Sequence, residues 1–342
     1  MRALTVRPGV RDSAELTDVP EPSAPEGSVL VATLAVGICG TDREIVAGEY
    51  GEAPPGEERL VLGHESIGRV LEAPPGQDLS PGDLVVGVVR RPDPVPCANC
   101  AAGEWDMCRN GRYTEHGIKA LDGFARELYR AEPDALVRVD PALGELGVLL
   151  EPTSVVAKAW EHVERIGERA RWQPRRVLVT GAGPVGLLAA LLAVQRGLEV
   201  HVLDRVDEGP KPDLVTRLGA RYRTTAPDDP DVVIECTGAP EVIAAVIGGT
   251  APNGIVCLAG VSSPGRQISV DVGALNREWV LENDVLFGSV NANRRHYEAA
   301  AHALAAADPD WLAGLVTRRE PLASYGAALE KRDGDIKAVL TF

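Results

Sequence analysis

Gly181-Ala-Gly-Pro-Val-Gly186 constrains the fold of this chain more than any other segment. It follows the apolar run Arg176-Val-Leu-Val-Thr180 and opens a ten-residue stretch, Val185 to Val194, without one charged or polar side chain. A strand, a glycine-rich turn and an apolar helix in that order make a dinucleotide-binding fingerprint. Gly181 permits the tight turn, Gly183 lets the backbone approach a pyrophosphate, and Gly186 lets the helix pack closely on the strand. The helix start at Pro184 and Val185 offers unpaired N–H groups and the positive end of the helix dipole.

An acidic residue is expected about 20 positions further on, where the second strand ends. Asp204 stands there, after Leu198-Glu-Val-His-Val-Leu203. A carboxylate at that point accepts from both hydroxyls of the adenosine ribose and repels a 2′-phosphate. Arg205 beside it would instead face that phosphate or stack on the adenine. NAD is therefore favoured, with NADP the alternative and use of both left open.

The same style continues downstream. Val232-Val-Ile-Glu-Cys236 and Gly254-Ile-Val-Cys-Leu-Ala259 read as further buried parallel strands, with residues 184–196, 213–218 and 240–247 as crossover helices. A βαβ series of this kind builds a doubly wound parallel sheet, hence an α/β fold. Residues 1 to about 155 differ. Pro and Gly break them into short runs such as Ser28-Val-Leu-Val-Ala-Thr-Leu34 and Asp83-Leu-Val-Val-Gly-Val-Val89, the pattern of a β-rich domain. A helix over 154–168 connects the two regimes. Residues 294–342 hold an Ala-rich helix and finish like a strand. The length of 342 residues suits about two domains.

Charge and hydropathy exclude two classes of partner. Fifty acidic against 35 basic residues give −15, with no Lys/Arg run to neutralise phosphates, so nucleic acid is not an expected partner. The ten apolar residues of the longest run fall far short of the roughly 20 that span a bilayer. The N-terminus alternates like a strand and has no apolar signal core, so a cytoplasmic location is expected.

Six cysteines are unevenly placed. Cys236 and Cys257 close apolar stretches and read as small buried hydrophobes. Cys97, Cys100 and Cys108 cluster, and in a reducing compartment clustered cysteines are more often thiolate metal ligands than disulfides. Cys39 lies in Gly37-Ile-Cys-Gly-Thr-Asp42, and an imidazole sits beside a carboxylate in Gly63-His-Glu-Ser-Ile-Gly68. Cys39, His64 and Glu65 are the ligand types of a catalytic zinc, a site that keeps one position open. Such a zinc polarises an alcohol oxygen and lowers its pKa, readying the carbon for hydride loss. Thr41 would pass the released proton on through its hydroxyl.

Cys39-Gly-Thr-Asp42, Gly63-His-Glu-x-x-Gly68, Pro81-Gly-Asp83, the cysteine cluster and the glycine turn together resemble the medium-chain zinc-dependent alcohol and polyol dehydrogenases, over essentially the whole chain. Within that family, Gly37-Ile-Cys-Gly-Thr-Asp-Arg-Glu-Ile-Val46, Arg90-Arg91, Glu115-His-Gly-Ile-Lys119 and Asp122-Gly-Phe124 look most like the archaeal-type glucose dehydrogenases. The resemblance implies a GroES-like catalytic domain over 1–155 and 295–342, and a Rossmann domain over 156–294. It implies Glu151 as a further zinc ligand, with Glu65 and Glu151 trading places with water or substrate. The cofactor set it implies is Gly181, Gly183, Pro184, Val185, Gly186, Asp204, Arg205, Thr237 and Asn291.

The family's structural zinc loop uses four cysteines, C-x2-C-x2-C-x7-C. Cys97-x2-Cys100-x7-Cys108 matches the last three, and Asp93 is the nearest substitute for the missing first. A structural zinc is expected over a metal-free loop with free thiols. Thr41, Glu115, Glu151 and Asn291 match residues that line the sugar pocket, while His116 and His296 are assigned to the surface. Two departures stand out. Asp204-Arg205-Val206 replaces an Asn-Arg-Arg that holds the NADP phosphate, and Leu281 replaces a pocket histidine.

The activity so implied is zinc-dependent oxidation of a sugar hydroxyl, C1 of an aldose such as D-glucose, to the lactone. A polyol, amino-polyol or other secondary alcohol oxidised to a ketone is the alternative, and a non-catalytic nucleotide-binding protein is a third reading. Pairing through the strand-like Asp284-Val-Leu-Phe-Gly-Ser-Val290 would give a homodimer or homotetramer, as in the family.

Overall fold

Val29–Ile38 (β1) alternates buried and half-buried positions and then turns wholly buried, so it ends covered on both faces at the centre of a sheet. The computed structural model describes every residue except Glu26, Asp207 and Pro264. Its contacts divide the chain into two units, Met1–Ser154 with Ala292–Phe342, and Val155–Asn291.

After β1 come the short helix Gly40–Val46 (α1), then Glu65–Glu72 (β2) and Leu84–Gly87 (β3). A single turn of helix, Ala98–Ala101 (α2), precedes Thr114–His116 (β4), Leu128–Ala131 (β5) and Leu136–Val139 (β6). Helix Leu150–Gly167 (α3) carries the chain out of the first unit.

The second unit alternates strand and helix: Arg176–Thr180 (β7), Pro184–Gln195 (α4), Glu199–Leu203 (β8), Pro210–Arg217 (α5) and Arg221–Arg223 (β9). Val232–Glu235 (β10), Pro240–Val246 (α6), Ile255–Leu258 (β11), Val272–Glu282 (α7) and Val285–Gly288 (β12) follow. The strands form one parallel sheet in the order β9-β8-β7-β10-β11-β12. The order reverses between β7 and β10, and the crevice at their carboxyl ends is where such sheets bind dinucleotides. Helix α4 is buried along its whole middle, Gly186 to Ala193, as its uninterrupted apolar sequence requires.

The chain then returns to the first unit through Arg294–Ala305 (α8), Val316–Pro321 (β13) and Lys337–Thr341 (β14). Among the described residues, the main sheet there has seven strands, in the order β6-β3-β2-β1-β14-β13, with β5 also on β1. Strand β5 pairs with the first half of β1 and β14 with the second, so Gly37 lies between Glu65 on one side and Val339 on the other. Val31, Val36, Val85, Phe124 and Tyr129 fill the core of this unit. No helix of the described residues is long and apolar enough to cross a membrane, and all six cysteines are free.

Two histidines expected at the surface are buried instead. His116 Nδ1 lies 2.7 Å from the Asp122 carbonyl oxygen, and its ring packs on Phe124 at 4.5 Å between centroids. Burial pushes its pKa down to about 3, so the ring is neutral. His296 sits in the first turn of α8, where its Nδ1 accepts from the Asn293 N–H at 3.1 Å and closes a capping box.

Candidate active site

Cys39 is the residue between β1 and α1, and it caps the helix. Its Sγ accepts from the Thr41 N–H at 3.2 Å, while its own N–H donates to Asp42 Oδ2 at 2.9 Å. His64 leads into β2 and Glu65 is the first residue of that strand. The β1–β2 pairing therefore carries all three side chains to one end of the sheet. Cys39 Sγ lies 3.1 Å from His64 Nε2, and one ligand atom from each of Cys39, His64 and Glu65 falls within 4.8 Å of the others. Zn–N and Zn–S bonds of about 2.0–2.3 Å put two ligands of one ion roughly 3.5 Å apart. A thiolate, an imidazole and a carboxylate in this array fit zinc.

Buried charge organises the cluster. Asp42 Oδ1 faces His64 Nδ1 at 3.4 Å, which turns Nε2 towards Cys39. Carboxylates commonly orient a metal-binding histidine in this way. Burial works against a charged imidazole, but the neighbouring Cys39 sulfur and the Asp42 carboxylate outweigh it and hold the His64 pKa well above the usual range. Lys337, from β14, donates to both carboxylate oxygens of Glu65, at 2.6 and 2.5 Å, and both side chains are buried. Gly37 makes room for that carboxylate: a Cβ there would fall 2.1 Å from Glu65 Oε2.

Glu151 lies in the first turn of α3, outside the group of three. Burial, reinforced by Glu65, pushes its carboxyl up to about 7 against the pull of His64 and Lys337. Thr41 contributes its N–H to the thiol of Cys39. Glu115 is buried, with Oε1 held by Arg90 Nε at 3.0 Å and Nη2 at 2.9 Å, and Arg90 in turn lies 3.7 Å over the Tyr113 ring.

Cys97, Cys100 and Cys108 form a second group with one ligand atom each within 4.8 Å of the others. The N–H groups of Arg109 and Cys100 draw the Cys97 thiol down to about 6, whereas burial and the neighbouring thiols push Cys100 up to about 11. Asp93 stays outside this group. Its carboxylate accepts from the Val95 N–H at 2.8 Å and Asn110 Nδ2 at 2.9 Å, with Arg112 Nε at 3.5 Å.

In the second unit the glycine turn joins β7 to α4. A Cβ at Gly186 would fall 1.8 Å from the Gly181 carbonyl oxygen, so helix and turn touch through backbone. Asp204, just past β8, reaches back to this turn: Oδ2 accepts from the Ala182 N–H at 2.7 Å and Oδ1 from the Arg205 N–H at 2.7 Å. Arg205 is exposed. Across the crevice, Thr237 is tied by its N–H and its hydroxyl to Glu235, a wholly buried carboxylate that also takes the Gly238 N–H. Lys158, buried in α3, donates to the Val290 carbonyl oxygen at 3.0 Å and so braces the chain before Asn291, which adopts φ of +60°.

Asp42, Lys158, Glu235 and Lys337 escape the reading of the sequence. Two of them carry a signal. Cys39-Gly-Thr-Asp42 has capping-box spacing, and Lys337 interrupts an otherwise apolar strand, where a charge requires a buried partner.

The comparisons with known proteins agree with this architecture. A family model described as alcohol dehydrogenase GroES-like domain matches residues 25–141. Such a domain joined to a doubly wound nucleotide sheet defines a zinc-type medium-chain dehydrogenase. A second model, described as glucose dehydrogenase C-terminus, matches residues 144–342, and the chain belongs to that glucose dehydrogenase family. It is 39% identical to a glucose 1-dehydrogenase of Methanocella arvoryzae over 99% of both chains. It is 42% identical to one of Thermoproteus tenax, again over 99% of both. Among solved structures, the Haloferax mediterranei glucose dehydrogenase in complex with NADP, Zn and gluconolactone superposes with a TM-score of 0.92 at 36% identity, covering 100% of this chain and 99% of that one.

Proposed function

We propose that the protein is a zinc-dependent glucose 1-dehydrogenase: it passes hydride from C1 of an aldose such as D-glucose to NAD(P) and releases the lactone and a proton. The observation that carries this reading is the Cys39–His64–Glu65 array, a zinc ligand set beside a buried ion pair, in a chain related along its whole length to proteins of that name.

Cys39, His64 and Glu65, joined by Glu151, would hold the catalytic zinc; when bound, zinc supplies a Lewis acid that lowers the pKa of the sugar hydroxyl. Asp42 keeps the His64 ring oriented, and Lys337 holds the Glu65 carboxylate in place between strands. The Thr41 hydroxyl takes the proton from the sugar hydroxyl and passes it on. Glu115 and Asn291 orient the sugar, since each buried hydroxyl left without a partner costs about 1–3 kcal/mol. Gly181 to Gly186, Asp204, Arg205 and Thr237 bind the dinucleotide. Cys97, Cys100 and Cys108 would hold a structural zinc, with Asp93 the nearest residue to supply a fourth ligand.

Exposed Val272, Val280, Leu281, Leu286 and Val290 on and beside the edge strand β12 support a homodimer or homotetramer built on that edge. Six free thiols suit a reducing cytoplasm.

The test is absorbance at the reduced-nicotinamide band, with zinc-loaded protein, D-glucose, and NAD or NADP. Reduction that a chelator abolishes is the expected result. A ketone from sorbitol, with no turnover of D-glucose, would replace this reading by a polyol dehydrogenase.

A further inference from the structure

At the carboxyl end of β8, Asp204 is largely committed to its own chain. Of the roughly four acceptor positions on a carboxylate, one takes the Ala182 N–H at 2.7 Å and one the Arg205 N–H at 2.7 Å. A third faces Lys211 Nζ, from the first turn of α5, at 3.2 Å. About one position is left for a ribose hydroxyl, so Asp204 serves the glycine turn more than it discriminates between ligands. Its charge is offset as well. An ammonium within hydrogen-bond reach turns an isolated anion into a neutral pair, and the exposed Arg205 adds a further positive charge nearby. The repulsion that an acid at this position normally exerts on a 2′-phosphate is thereby removed.

We infer that Lys211 is the specificity-determining residue of the nucleotide site: its ammonium donates to the 2′-phosphate of NADP, so that the protein accepts NADP as well as NAD. The inference rests on the reading of Gly181 to Gly186 as the nucleotide site. The fingerprint puts the ribose hydroxyls at the acid that ends the second strand, and Lys211 Nζ is one hydrogen bond from that acid. Three donors on one ammonium allow Lys211 to keep Asp204 and still take a phosphate oxygen. The side chain is 19% exposed, which leaves the ammonium open to an incoming ligand.

The experiment is calorimetric binding of two half-ligands, 2′,5′-ADP and 5′-AMP, to the full chain, wild type and Lys211→Met. Loss of one charge-assisted hydrogen bond should weaken 2′,5′-ADP by about 10- to 100-fold. Affinity for 5′-AMP should stay within about twofold, since that ligand has no 2′-phosphate for the ammonium to meet. Lys211→Arg, which keeps the positive charge, should retain most of the 2′,5′-ADP affinity. Unchanged 2′,5′-ADP binding in Lys211→Met would overturn the inference. So would an equal loss of both ligands in a variant with a wild-type circular dichroism spectrum, because Lys211 would then merely support the turn. Wild-type protein that binds 5′-AMP but not 2′,5′-ADP would overturn the inference and leave the nucleotide site standing. Wild-type protein that binds neither would overturn the nucleotide site together with it.

Discussion

Cys39, His64 and Glu65 hang from the ends of paired strands, whereas Cys97, Cys100 and Cys108 hang from a loop and a single turn of helix. Both groups belong to the same unit and both bring three ligand atoms within 4.8 Å of one another. They differ in what opposes the charge of the ligands. Around the first, Lys337 neutralises Glu65 and Asp42 partners His64, so the array is ordered by the protein's own buried charges. Around the second, backbone N–H groups do most of the work and no Lys or Arg pairs with the thiols among the described contacts. A site of the first kind is preorganised; in one of the second kind the metal itself supplies much of the order.

The sharpest way to break this contrast is Cys39→Ala. Turnover should fall by more than about 1000-fold, the worth of several kcal/mol of electrostatic stabilisation. Nucleotide binding, followed by NADH fluorescence, should be unchanged. Retained turnover would remove the catalytic role from the first group.

Lys337→Met comes next. It leaves the Glu65 carboxylate buried without its cation, which should destabilise chelator-treated protein by about 3–5 kcal/mol in urea unfolding. Zinc loading should recover part of that loss, since a cation is then restored. An equal loss with and without zinc would mean that Lys337 and the metal do not share Glu65.

Cys97→Ser sharpens the contrast from the other side. Metal analysis should show one zinc fewer per chain, kcat should stay within about threefold of wild type, and Tm should drop by about 5 °C. A fall in kcat as deep as that of Cys39→Ala would erase the distinction between the two groups.

The last effect appears only as pH falls and concerns His116. Burial holds its folded pKa near 3, against about 6.5 in an unfolded chain. Below about pH 6.5 the unfolded state therefore binds a proton that the folded state refuses, and stability is lost as pH falls, by up to about 1.4 kcal/mol per unit down to pH 3. His116→Gln should flatten the decline in Tm between pH 7 and pH 4.5. A variant that declines as steeply as wild type would show that other groups govern that range.

Much of the second unit was legible because its central strands β7, β10 and β11 are short apolar runs and Gly or Pro marks the turns into α4, α5 and α6, whereas β9, Arg-Tyr-Arg, carries no apolar signal. The signal at residues 181–186 is local, and local patterns survive reading one dimension at a time. The ligand triplets were legible for the same reason, Cys39 and His64-Glu65 each lying in a glycine-flanked segment. Their partners were not. Lys337 meets Glu65 across 272 residues of sequence, and only the β1–β14 pairing brings the two together. The burial of His116 was hidden too, because the Phe124 ring and Asp122 carbonyl that receive it belong to a loop whose path no periodicity reveals.

The split make-up of the first unit sets an order of events during synthesis. Ribosomes deliver the chain from the N-terminus, so β1 emerges long before β14, and the contiguous stretch Val155–Asn291 is complete while the β14 side of β1 is still open over Ala35 to Ile38. An uncovered strand edge beside a reactive thiol invites pairing with the wrong chain. Fast elongation or a chaperone that shields the edge until the final strand arrives would limit such mispairing.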